Sequence, residues 1–213
     1  MRLTIIFDNT VSKPNLIKDW GFACLIEHGK RRLLFDTGAD GEILLHNMKT
    51  LGIDPQDLDD IFISHNHFDH IGGLSTILNK NSNVSIYLPQ SLRGVRKAKE
   101  IIYIDSARKL TEGLYTTGEL DGIEQSLIVQ TTKGLVIIVG CSHPDMDKIL
   151  KSSSQFGNIY GIIGGLHGFN NFKLFKNLQL ICPTHCTQHK MEIKSLYPMQ
   201  YVEGGVGNVI TVP

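Results

Sequence analysis

Between Ser64 and His70 the chain reads Ser-His-Asn-His-Phe-Asp-His, so three imidazoles and a carboxylate fall within six residues. Neutral imidazole nitrogen and anionic carboxylate oxygen are the donors that borderline divalent metals such as zinc accept. The apolar run Ile61-Phe62-Ile63 comes directly before and reads as a short buried strand. The donors therefore sit on a loop leaving a strand's carboxyl end, where ligand sites of α/β proteins gather. His65 and His67 alternate along an extended chain and can grip one ion, while Asp69 and His70 lie past the turn and can face a second. Two ions about 3.5 to 4 Å apart make a hydrolytic centre. The competing reading, a polar loop whose histidines are merely exposed, has to explain so dense a set of donors as chance.

Three further apolar runs end in the same way. Leu135-Val136-Ile137-Ile138-Val139 leads into Gly140-Cys141-Ser142-His143, Ile159 to Ile163 into Gly164-Gly165-Leu166-His167-Gly168, and Leu178 to Cys182 into His185. With the first motif, that is four strands each running into a histidine loop, which argues for one shared edge where the loops meet. Asp36 leaves another strand just before Gly38, where its carboxylate either fixes the tautomer of a metal-bound histidine or caps a turn. His28 and His46 are expected to be exposed and uninvolved.

The motif His65-x-His67-x-Asp69-His70, followed by the small-residue turn Ile71-Gly72-Gly73-Leu74, resembles the signature of the metallo-β-lactamase superfamily. Phe35-Asp36-Thr37-Gly38 upstream and Cys182-Pro183-Thr184-His185-Cys186 downstream extend the resemblance over most of the chain. It implies a four-layered αββα sandwich, two mixed sheets with helices outside, and a site along the seam between the sheets. Members of that family supply a lone histidine, then a metal-bridging aspartate, then a final histidine. No histidine lies between His70 and His143 here, so His143 becomes the candidate to complete the His65 and His67 site, with His185 joining Asp69 and His70. Cys141 stands about where the bridging aspartate is expected, either as a thiolate ligand or as an inert buried cysteine. The set Gly140-Cys141-Ser142-His143, Gly164-Gly165-Leu166-His167 and Pro183-Thr184-His185-Cys186 resembles a subgroup of metal-dependent hydrolases related to dihydropterin-ribofuranosylaminobenzene-phosphate synthases.

Composition bounds these readings. The chain has 213 residues and 41% hydrophobic content, enough to bury a core as one domain over 1–213. Lys plus Arg (21) equals Asp plus Glu (21), so no global field favours nucleic acid or an anionic membrane. The one basic run, Arg93, Arg96, Lys97 and Lys99, reads as a solvated face, with a phosphate-bearing substrate as its alternative. No run approaches the roughly 20 apolar residues of a membrane span, and the amino-terminal apolar stretch is short for a signal peptide. A cytoplasmic protein is expected, in which the four cysteines need form no disulfides. Cys182, Cys186, His185 and His189 form an alternative zinc set, disfavoured because adjacent residues rarely converge on one tetrahedral ion.

The elements that must position these residues follow from periodicity. Leu3 to Phe7, Gly21 to Glu27 and Arg32 to Phe35 read as a meander turned at His28-Gly29-Lys30. Ile43, Leu44, Leu45, Met48 and Leu51 recur at helical spacing until Gly52, and a helix follows Gly73. Val84 to Leu88, Ile101 to Ile104 and Gly113 to Thr117 are expected strands. Ser126 to Thr132 and Leu135 to Gly140 form a hairpin about Lys133-Gly134. A helix over Asp145 to Ser153 completes an alternation typical of layered α/β folds.

The leading expectation is a metal-dependent hydrolase acting on an ester, in particular a phosphorylated or pterin-like small molecule. Its two divalent ions are zinc first, with manganese or iron as alternatives. They would lower the pKa of a bound water from about 15.7 toward about 7. Asp69 would orient that water, and His167 would protonate the leaving group or bind substrate. The alternatives are a pterin-pathway transferase that expels pyrophosphate, a di-iron oxidoreductase and a non-catalytic scaffold. A glyoxalase-type thioesterase fits less well because its bridging aspartate is missing. Nucleic acid and membrane partners are not expected, and the oligomeric state is open.

Overall fold

Side chains on successive strand residues point to opposite faces, and here each strand's two faces feed different cores. A computed structural model describes residues 1–213. Its first sheet contains β1 (Arg2–Phe7), β2 (Ala23–His28), β3 (Arg31–Phe35), β4 (Asp60–Phe62), β5 (Ser85–Pro89), β6 (Glu100–Ile104) and the last strand, β13 (Val209–Thr211). The second contains β7 (Arg108–Thr111), β8 (Leu114–Thr116), β9 (Leu127–Thr131), β10 (Gly134–Val139), β11 (Ile159–Gly165) and β12 (Leu180–Thr184). Leu3, Ile5, Cys24, Ile26, Leu33, Phe35 and Phe62 of the first sheet meet Leu127, Val129, Val136, Ile138, Ile163 and Leu180 of the second in one inter-sheet core.

The alternate residues face outward onto helices. Ile6, Leu25, Leu34, Ile61 and Ile86 pack on α1 (Gly41–Thr50) and α3 (Leu74–Lys80), whose contacts are Leu44, Met48, Ile77 and Leu78. Ile137, Val139, Ile162 and Ile181 pack on α4 (Met146–Ser154) and α5 (Lys190–Leu196) through Met146, Ile149 and Ile193. Helix, sheet, sheet, helix is the four-layered αββα sandwich. Both sheets are mixed. The order is β13-β1-β2-β3-β4-β5-β6 in one and β12-β11-β10-β9-β8-β7 in the other.

Strand direction places the site. In the second sheet β10, β11 and β12 run parallel, so their carboxyl ends share an edge. In the first, β3 and β4 run parallel, and β1 is antiparallel to β2, which is antiparallel to β3, so β1, β3 and β4 end together. The loops after β1, β3, β4, β10, β11 and β12 carry every candidate donor.

Several boundaries differ from expectation for local reasons. The β9–β10 turn is Thr132-Lys133, because Gly134 already pairs with Thr131 in the ladder. Gly164 and Gly165 belong to β11 rather than to a flexible loop, pairing with Pro183 and Thr184. Gly164 has φ +129°, and a Cβ there would stand 2.0 Å from the Val139 carbonyl oxygen, so the bare backbone serves strand contact. The strand expected at Leu178–Cys182 begins at Leu180, and β12 is an edge strand rather than a central one. Its outer side is closed by Ile181, whose N–H donates to Gln200 and whose carbonyl accepts from Val202. His28 is half-buried, with Nε2 beneath Gly113 across the sandwich, so it is not the exposed turn residue expected. No helix is long and apolar enough to cross a membrane.

Candidate metal centre

The histidine loop leaves β4 extended and then turns into α2 (Phe68–Ile71), with His67 at the helix's amino-terminal cap. That change of conformation divides the motif into two groups. His65 and His67 meet His143 from the β10 loop, and Asp69 and His70 meet His185 from the β12 loop. Within each triad the donor atoms lie within 4.8 Å of one another. Ring centroids are 4.5 Å apart for His65–His67, 4.8 Å for His65–His143 and His67–His143, and 5.0 Å for His70–His185. His65 and His70, one from each triad, are 4.2 Å apart.

Hydrogen bonds fix which nitrogen of each imidazole is free. The Asp36 carboxylate accepts from Ser64 N–H at 2.7 Å and from Ser64 Oγ at 2.7 Å. Having given its proton to Asp36, Ser64 Oγ accepts from His65 Nδ1 at 2.8 Å. Asp36 also accepts from His70 Nδ1 at 2.7 Å. Both histidines are thereby left with an unprotonated Nε2, which faces His67 Nδ1 at 3.1 Å in His65 and Cys141 Sγ at 3.2 Å in His70. His185 reaches the same state differently: its Nδ1 donates to Asn9 Oδ1 at 3.0 Å, and Asp8 accepts its backbone N–H at 2.8 Å. Partners of this kind orient the metal-binding imidazoles of metalloproteins.

The electrostatics agree. Burial, reinforced by His70, pushes the His65 imidazole down to about 2, and burial with the neighbouring His185 pushes His70 down to about 3. Burial lowers His143 as well. These rings stay neutral, as ligation requires. Burial raises the Asp36 carboxyl to about 7 despite the opposing pull of His65 and Ser64. At Asp69 burial also acts upward, but the imidazoles of His185 and His70 beside it outweigh it and hold the carboxyl well below the usual range.

The residues fit a pair of cations. The buried atoms His143 Nε2 and His185 Nε2 have no hydrogen-bond partner. His185 Nε2 is 3.2 Å from Asp69 Oδ2 but misaligned for a hydrogen bond, as expected of two donors aimed at a third point. Asp8, Asp36, Asp69 and Glu124 are buried without a Lys or Arg partner, whereas buried Asp60 is neutralised by Arg31 at 2.7 Å. Buried charge is tolerated only when compensated.

Cys141 lies between the triads, grouped with His65 and His70 on one side and with His185 and Cys186 on the other. Its Sγ is 3.2 Å from His70 Nε2 and accepts from the Cys186 thiol at 3.3 Å. Cys182 instead joins the inter-sheet core and His189 pairs with Glu192, so the alternative zinc set of Cys182, Cys186, His185 and His189 is not assembled. His167 stands outside both triads at the exposed mouth, its ring 5.4 Å from that of His143.

Other residues of the site carried no recognisable signal. The exposed Trp20 donates its indole N–H to Asp69 Oδ2 at 2.8 Å and lies edge-on to His185 at 5.0 Å. Buried Glu124 accepts backbone N–H bonds from Gly140, Cys141, Ser142 and His143. Asn9 and Asp8 act from the end of β1. Asp36, Ser142, His167 and His185 all take positive φ, between 45° and 57°, within three residues of the ends of their strands. Such backbone costs of order 1–3 kcal/mol per residue and persists only where its surroundings enforce it.

A family model described as the metallo-beta-lactamase superfamily matches residues 21–143. The chain belongs to the metallo-β-lactamase superfamily. It is 31% identical to the 7,8-dihydropterin-6-methyl-4-(beta-D-ribofuranosyl)-aminobenzene-5'-phosphate synthase of Methanocaldococcus jannaschii, over 76% of this chain and 78% of that one. Tm1679, a metal-dependent hydrolase of the beta-lactamase superfamily, superposes with a TM-score of 0.80 at 24% identity, over 100% of this chain and 99% of its own. The Zn(2+)-bound PqqB of Methylobacterium extorquens gives a TM-score of 0.68 at 11% identity over the whole of both chains. These two structures share the fold of this metallo-β-lactamase superfamily member. Divalent-metal binding is a property of the superfamily to which it belongs.

Proposed function

We propose that this chain is a dinuclear metal-dependent hydrolase of a phosphorylated small molecule. His65, His67 and His143 hold one ion and Asp69, His70 and His185 the other, with Cys141 between them. The convergence of imidazole nitrogens from the loops after β4, β10 and β12 on two adjacent points, those of His143 and His185 without any hydrogen-bond partner, carries the reading. Two divalent ions there would supply Lewis acidity toward an ester oxygen and acidify an attacking water. The chain's own groups do the rest. Asp36 fixes His70 directly and His65 through Ser64, keeping both Nε2 atoms directed inward. Trp20 holds the Asp69 carboxylate from the solvent side. His167, exposed at the mouth, gives a proton to the leaving oxygen. Trp20 and Phe68, 51% and 68% exposed, offer apolar surface for a planar substrate ring at the same mouth.

A second reading is favoured by the 31% identical synthase. In it the same centre expels pyrophosphate from a pterin diphosphate in favour of an amine or carbon nucleophile. Elemental analysis of the purified chain, with a screen of phosphomonoesters, phosphodiesters and thioesters, tests the first reading. Two equivalents of zinc or manganese and turnover of a phosphoester are expected. A folded preparation that holds no more than one equivalent defeats the dinuclear centre. A condensed product formed only when a pterin diphosphate and an acceptor are both present would replace hydrolysis with transfer.

A further inference from the structure

The loop Gly140-Cys141-Ser142-His143 has to bring its imidazole across the seam to His65 and His67, yet it lies outside the strand ladders. Its four backbone N–H groups all point to one side and converge on a single side chain. Glu124 Oε1 accepts from Gly140 at 2.9 Å, Cys141 at 3.0 Å and Ser142 at 3.2 Å, while Oε2 accepts from His143 at 2.9 Å. Successive N–H groups that turn inward about a residue of positive φ form an anion-binding nest, and Ser142 has φ +57°. In most such nests the anion is a ligand. Here it is a carboxylate of the protein itself, 1% exposed and without a cationic side chain against it. The loop has little freedom on its other side, since a Cβ on Gly140 would lie 2.3 Å from Ser64 Oγ and 3.0 Å from His65 Nδ1. Ser142 Oγ donates to the Gly165 carbonyl at 2.8 Å.

We propose that Glu124 is the positioning residue for His143. Its carboxylate folds the 140–143 loop around itself and so aims the imidazole at the His65–His67 point before any ion arrives. The proposal rests on the reading of His143 as a ligand, and it explains a buried carboxylate that belongs to neither triad of donors. Glu124→Gln is the discriminating change. With the amide oxygen facing the three donors Gly140, Cys141 and Ser142, the amide nitrogen faces His143 N–H, donor against donor, and the loop must open at the residue that matters. Loss of an orienting group of this kind weakens metal binding by roughly 10- to 100-fold.

Hydrogen exchange of the wild-type protein after chelation tests the loop directly. The amides of residues 140–143 should stay protected without metal, because Glu124 rather than an ion holds them. Exchange as fast as in an open loop would overturn the proposal, whatever the variant does. Zinc titration of Glu124→Gln should then show one tight equivalent where the wild type shows two, with a cooperative thermal transition retained. Two equivalents at wild-type affinity would also overturn it. His143→Ala separates this failure from failure of the underlying reading: if that variant keeps both ions, His143 is not a ligand, and the protection of the 140–143 amides still reports on Glu124 alone.

Discussion

Cys141 is the residue on which the character of the centre turns. It stands where a carboxylate would be expected to bridge, its Sγ is 3.2 Å from His70 Nε2, and its groupings touch both triads. The adjacent Cys186 thiol, together with burial, raises the Cys141 thiol in the metal-free protein, but metal coordination deprotonates a thiol outright. A thiolate bridge makes Cys141→Asp tolerable, since another anion takes its place, and Cys141→Ala damaging. Elemental analysis should find two ions in the first variant and one in the second, and two ions with full activity in Cys141→Ala would make the residue structural. His167 offers the contrasting case. It belongs to neither triad and lies at the mouth, so His167→Ala should keep the metal content and lower kcat by roughly 10² to 10⁴ if it transfers a proton. Loss of an ion from His167→Ala, under conditions where His143→Ala keeps both, would mean that the two roles are exchanged. The candidate histidines were legible in the sequence because imidazole and carboxylate donors are chemically distinctive and closely spaced. Glu124, Trp20 and Asn9 were not, since nothing in a lone glutamate announces that topology will bring four backbone N–H groups to it.

At the scale of elements, the apolar runs ending at Ile63, Val139, Ile163 and Cys182 were readable as strands because nearly every side chain in them is buried. Hidden elements were short or peripheral: β7 carries a mixed Arg-Lys-Leu-Thr pattern, β13 has three residues, and α5 shows one buried residue. The paired glycines Gly164 and Gly165 misled for a physical reason, since glycine marks either freedom or close approach, and only the neighbouring strands decide which. The structure decides for close approach, and this yields a test. In Gly164→Ala the new methyl would meet the Val139 carbonyl at 2.0 Å from a backbone at φ +129°, forcing β10 and β11 apart just before the His143 and His167 loops. The expected cost is about 2 kcal/mol or more, read as a lowered urea midpoint together with weaker metal binding. An unchanged midpoint would show that the two strands are not packed as described.

For the molecule as a whole, the seam gathers buried carboxylates whose charge bound cations would relieve. Asp8, Asp36, Asp69 and Glu124 are buried at one edge of the sandwich with no Lys or Arg, among imidazoles that burial keeps neutral. An ion that binds the folded chain and not the unfolded one stabilises it by RT ln(1 + [L]/Kd), about 2.7 kcal/mol at a hundredfold excess over Kd. In a chain of this size 1 kcal/mol is worth roughly 2–4 °C, so chelation should lower Tm by about 5–10 °C per ion removed. The metal-free protein should also be acid-sensitive in a definite window. His65 and His70, at about 2 and about 3 when folded, remain unprotonated while their unfolded counterparts take up protons below 6.5. Asp36, raised to about 7, opposes them by holding a proton that the unfolded chain releases above 3.8. Two groups against one leave the unfolded state with the greater proton uptake between about pH 4 and 6.5, so stability rises with pH across that interval. Urea titrations of the chelated protein at pH 5 and pH 7 should place the higher midpoint at pH 7. Equal midpoints, or a Tm indifferent to chelation, would mean that the carboxylates at the seam are compensated by something other than bound cations.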